Sequence, residues 1–118
     1  MNPEEHVNDF LSELNAGVFV QKLDAALREC AQKAMTYGDK SKKAKITIEF
    51  SIAPFNDSEE QAMITHKLSK SMPTKRGKRM EDDTTDTMMF VHPKGYLRSD
   101  APPVDANGQG SIMEFRGQ

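Results

Sequence analysis

LNAGVFVQKLDAALRECAQKAMTYG, residues 14–38, is the longest run in the chain with clean helical periodicity. Phe19, Leu23, Ala26, Leu27, Cys30, Ala31 and Ala34 recur at helical spacing and form one apolar stripe. Gln21, Lys22, Asp24, Arg28, Gln32 and Lys33 fill the opposite face. Asn15 is placed to cap the first turn, because its side-chain oxygen can take a backbone N–H left orphaned there. Leu14 and Phe19 are spaced for a hydrophobic staple. Gly38 is expected to end the helix in the left-handed conformation. The main helix is therefore expected over residues 15–37. A helix that is apolar on one side needs a partner surface, and the segments after it can supply one.

Before it, residues 3–14 read as a short helix. Asn2 is a cap residue, Pro3 suits the first helical position, and Val7, Phe10, Leu11 and Leu14 share one face. Asn15 to Gly17 then breaks the helix and restarts it at a new angle.

After the polar connection DKSKKAK, residues 39–45, the period changes from 3.6 to 2. Ile46, Ile48, Phe50 and Ile52 alternate with polar neighbours, giving a strand over about 45–53 with one buried and one wet face. Turn residues around Pro54 and Asn56 lead to a second strand over about 60–72. There Ala62, Ile64, His66 and Leu68 share one parity. Residues 73–79, PTKRGKR, read as a basic loop. A third strand is expected over about 84–92, with Met88 and Phe90 on one face and Met89 and Val91 on the other. Residues 96–98 can add a short fourth strand. From Ser99 the composition turns to Pro, Gly, Asn and small residues, so 99–118 read as a disordered, flexible tail. The fold class is α+β: N-terminal helices packed on a 3–4-stranded antiparallel β-meander, in a single domain over 1–98. A meander leaves two open edges, and the third strand is apolar on both faces. Both features suggest a homodimer.

Composition narrows the function classes. Hydrophobic residues make up 36% of 118, and no apolar run is long enough to span a membrane. One cysteine, Cys30, cannot form an internal disulfide, and its place on the helix stripe makes it a small buried hydrophobe. With no signal-peptide pattern at the start, a reducing cytoplasm is the expected compartment. The formal net charge is −2. It is divided unevenly: the middle third, residues 40–79, holds 10 Lys/Arg against 4 Asp/Glu, and both flanking thirds are acidic.

An antiparallel meander sets the start of its first strand beside the end of its second. Lys40, Lys42, Lys43, Lys45, Lys70, Lys75, Arg76, Lys78 and Arg79 should therefore converge at one end of the sheet. Such a cluster can neutralise phosphates in a salt-sensitive, sequence-independent way. Against this stand Glu81, Asp82, Asp83 and Asp86, which follow at once and can cancel charge, and the lack of interleaved aromatic residues for base stacking. A second candidate surface is a protein-binding one, made of Met63, Met89 and Val91 on the sheet together with Ile112, Met113 and Phe115 in the tail.

Catalytic chemistry has no support. No nucleophile elbow, CxxC or phosphate-cradling glycine loop occurs. Asp82, Asp83 and Asp86 fit no metal motif. His66 and His92 could be neighbours on adjacent strands but alone make no zinc site. His66 shares parity with Ile64 and Leu68, which marks it as a hydrogen-bonded histidine at the core margin. No cofactor is implied.

The order of segments is distinctive: Leu14-Asn15-Ala16-Gly17-Val18-Phe19, Lys22-Leu23, Ala26-Leu27, a Gly/Lys-rich break, a strand, Ile64-Thr65-His66-Lys67-Leu68, and Pro73-Thr74 before a glycine. An acidic, threonine-containing stretch and a last strand follow. Over about residues 14–98 this resembles a group of small uncharacterised proteins encoded by tailed phages and prophages. The tail here is longer than in that pattern. The resemblance implies a non-enzymatic accessory protein in the host bacterial cytoplasm, concerned with phage DNA metabolism or host takeover. It supplies no active-site residues. Two functions follow as expectations: contact with nucleic acid through the basic end, or modulation of a host defence or replication protein.

Overall fold

A computed structural model describes residues 2–57 and 59–102. Helix α1 spans Pro3–Glu13, a kinked 3-10 segment spans Leu14–Gly17, and helix α2 spans Val18–Tyr37. Four strands follow: β1 Lys45–Pro54, β2 Gln61–Thr74, β3 Gly77–Val91 and β4 Leu97–Arg98. They form one antiparallel sheet in the order β1-β2-β3-β4, with the helices on one face. This is the α+β meander expected. Residues 103–118, with Ile112, Met113 and Phe115 of the expected protein-binding tail, lie outside the described residues.

The cap of α1 forms as its sequence suggests, with Glu5 N–H donating to Asn2 Oδ1 at 2.8 Å. The cap of α2 does not. Asn15, Ala16 and Gly17 all take positive φ, and Gly17 is the residue that precedes the helix. Asn and Gly visit this region readily, but Ala does so at a cost of roughly 1–2 kcal/mol. Tertiary structure offsets that cost. Leu14 and Phe19 on either side are buried, and Asn15 N–H donates to Thr87 Oγ1 of β3 at 3.0 Å. Gly38 does end α2, but in extended rather than left-handed conformation. Glycine is required there because a Cβ would clash with the carbonyl oxygens of Ala34 and Lys42.

Strand β3 begins at Gly77, seven residues before the expected Thr84. Most of the supposed basic loop is therefore strand. Thr74 pairs with Gly77, and only Lys75 and Arg76 remain as the turn. The core joins Leu14, Phe19 and Ala26 to Ala62, Ile64 and Leu68 of β2 and Met89 of β3. Val91 and Leu97 pack against it. Met89 is 0% exposed. This corrects the assignment of Met89 and Val91 to an outer binding face. Both side chains follow Thr87, whose parity is fixed by pairing with Ile64, and so point to the helices. Met63 lies on the other face, opposite Met88. Among the described residues, no helix is long and apolar enough to cross a membrane.

Candidate nucleic-acid interface

The register draws the basic segments together. Lys45 pairs with Ser71, Pro73 with Lys78, and Met72 with Arg79. The start of β1 and the β2–β3 turn therefore share one end of the sheet. The loop after α2 reaches the same end. Ser41, Lys42, Lys43 and Lys45 line one groove with Ser71, Pro73, Gly77 and Lys78. A neighbouring groove is lined by Lys40, Lys42 and Lys43 with the exposed Met35.

The loop is shaped by Asp39. Its Oδ1 accepts Ser41 N–H at 2.7 Å, Ser41 Oγ at 2.8 Å and Lys42 N–H at 2.9 Å. These bonds hold the Asp39 carboxyl below its usual range, the Ser41 hydroxyl contributing most. The turn leaves the lysine side chains outward.

The nine basic residues divide into two groups. Lys70 is largely covered and donates to Glu29 Oε1 at 2.7 Å, with Glu81 Oε1 at 3.3 Å. The Glu29 hydrogen bond raises its pKa and lowers that of Glu29. Arg79 pairs with Glu81. Lys70 ties α2 to the sheet, while Arg79 is exposed and is paired within β3. Lys40, Lys42, Lys43, Lys45, Lys75, Arg76 and Lys78 make no ion pair among the described residues.

Of the acids that follow the turn in sequence, Glu81 stays with Lys70 and Arg79, and the other three are engaged further along the sheet. Asp83 pairs with Lys22 of α2 at 2.9 Å, which lowers the Asp83 pKa, and Asp82 lies 3.9 Å from Lys67. Asp86 accepts from Thr65 Oγ1 at 2.7 Å. All three lie up the sheet, away from the turn. Among the described residues, no three His, Cys, Asp or Glu side chains come together as a metal site.

The histidines are separate. His66 is buried, 2.9 Å from Thr87 Oγ1 and edge-on to Phe19. Burial pushes its pKa below the usual histidine value, and Lys22 adds to that shift. His66 is thus the core-margin histidine expected from its parity. His92 lies beyond the strand pairing and donates from Nε2 to the Asp100 carbonyl at 2.7 Å, so the two are not neighbours. His6 Nε2 accepts Leu97 N–H at 3.1 Å, tying α1 to β4. Arg98 adds ion pairs to Asp9 and Glu13. This tie left no signal in the sequence, because its two sides are some ninety residues apart. Cys30 is buried, and burial raises its thiol pKa, so it is no activated nucleophile.

Comparison with known proteins gives a family. The chain is 37% identical over 112 residues to an uncharacterised protein, YfdP, of Escherichia coli strain K12; the match covers 95% of this chain and 85% of that protein. No solved structure matches. The YfdP family model matches residues 6–97, from the histidine that ties α1 down to the strand it binds, and the chain belongs to that family.

Proposed function

We propose that the protein is a non-enzymatic accessory module that contacts nucleic acid through the basic end of its sheet. The observation that carries this reading is the gathering of seven cations, without ion-pair partners among the described residues, from three segments: the loop after α2, the start of β1 and the β2–β3 turn. Asp82, Asp83 and Asp86 are engaged up the sheet and Glu81 with Lys70 and Arg79, so this end of the sheet is rich in positive charge although the whole chain carries −2. A surface of this kind binds phosphates by counterion release and reads no sequence. Lys70 and Arg79 do not belong to it, because their charges are met by Glu29 and Glu81. The resemblance to small phage and prophage proteins supports a place in phage DNA metabolism, in the bacterial cytoplasm.

Fluorescence anisotropy with a labelled DNA duplex and a labelled single strand at 50 mM salt tests this reading. The Lys75→Ala/Arg76→Ala/Lys78→Ala variant should bind at least about tenfold more weakly, with circular dichroism unchanged. Lys70→Ala should weaken the fold more than the binding. Equal affinity of the triple variant and the parent chain would sink the proposal.

A further inference from the structure

The free edge of the sheet carries a second surface. Strand β1 is the outermost strand, and among the described residues nothing pairs with its outer side. Its helix-facing side chains are poorly covered: Ile48 is 38% exposed, Phe50 39% and Ile52 60%. Helix α2 extends this strip. Lys22 and Glu29 on one flank of α2 reach Asp83 of β3 and Lys70 of β2, so the opposite flank overhangs β1. That flank carries Val20 and Leu27, both exposed. The result is a continuous apolar band beside a row of unpaired backbone groups, an arrangement that invites another strand.

We infer that this edge joins two copies of the chain, with β1 paired antiparallel to β1 of the second copy about a twofold axis at Phe50. The strand is self-complementary in that register. Phe50 meets Phe50, Ile48 meets Ile52, and Ile46 meets Pro54, all on the helix side. On the open side Glu49 meets Ser51 and Thr47 meets Ala53. Lys45 and Glu49 are the only charges in the strand, and neither faces a like charge. The basic end fixes the choice further. An axis nearer Lys45 would bring the two lysine-rich loops together, whereas an axis at Phe50 sets them at opposite ends of an eight-stranded sheet. A twofold contact uses one patch twice, which this strand satisfies. The inference stands apart from nucleic-acid binding, because the edge and the basic end are different surfaces.

Analytical ultracentrifugation of the full chain tests it. The parent chain should sediment at twice the 13.2 kDa chain mass at micromolar concentration. Ile52→Lys should raise the dimer dissociation constant at least about a hundredfold, since each dimer buries the side chain twice. Ile52 is exposed in the single chain, so the fold should survive the change. The double variant Ile48→Lys/Ile52→Glu should recover much of the dimer, because the two opposite charges then face each other across the axis. A monomeric parent chain, a dimer indifferent to Ile52→Lys, or a double variant no better than the single would each overturn the proposal.

Discussion

Strands β1 and β2 are neighbours with the same alternating pattern, yet they are buried to very different depths. On β2, Ala62, Ile64, His66 and Leu68 are all below 8% exposed. On β1, directly paired with them, Ile48, Phe50 and Ile52 run from 38% to 60%. Alternation tells which side of a strand faces the core; it does not tell how much core lies there. Helix α2 sits over β2, tied to it by the Glu29–Lys70 pair, and reaches β1 through Phe19 against Phe50. One helix of this width cannot also cover the outer strand, so β1 is left with a face suited to a core and little to fill it.

The contrast makes quantitative predictions. Ile64→Ala should cost about 2–5 kcal/mol by urea denaturation, because the fully buried side chain leaves a cavity. Next comes Thr87→Val, at roughly 1–3 kcal/mol, since it removes the oxygen that accepts Asn15 N–H and partners His66 beneath the helix kink. The acid limb of stability should then separate the strands by titration. His66 is held below its usual pKa mainly by burial, so the unfolded chain binds its proton first. Its stabilising effect is present above the ordinary histidine range and is lost as pH falls below it. His66→Gln should therefore flatten the decline between pH 7 and 5. The decline at lower pH should remain, because Asp83 and Glu29 have depressed values and lose their contribution only as pH falls through the carboxylate range. Smallest of all, Ile52→Ala on β1 should change the stability of the separated chain by no more than about 0.5 kcal/mol, in line with an exposed position. Measured at several protein concentrations, the same variant should show a larger loss as concentration rises.

Much of this was legible in the residues. The α1 cap, the change of period after Gly38 and the parity of β2 each have a local cause, and each is found. The convergence of the basic residues followed from topology alone, since any antiparallel meander with these segments brings them to one end. Three features were not legible. The break at Asn15–Gly17 is legible but its left-handed geometry is not, because Asn and Gly serve caps and turns alike; its partner, Thr87, is 72 residues away. The start of β3 is hidden under GKRMEDD, a charged stretch of low strand propensity that pairing with β2 overrides. Met88, Met89, Phe90 and Val91 are apolar at every position, so no alternation marks their inner face. Register with Ile64 decides it, which is why Met89 lies in the core and not on a binding surface.

The most direct test of the basic end is the salt dependence of duplex DNA binding, measured by anisotropy between 50 and 200 mM salt. Each neutralised phosphate contributes a slope of about −0.9 in log K against log salt. The parent chain should show a steep negative slope, and the Lys75→Ala/Arg76→Ala/Lys78→Ala variant a slope shallower by roughly two to three units. No binding at 50 mM salt, or the same slope in both proteins, would contradict the account.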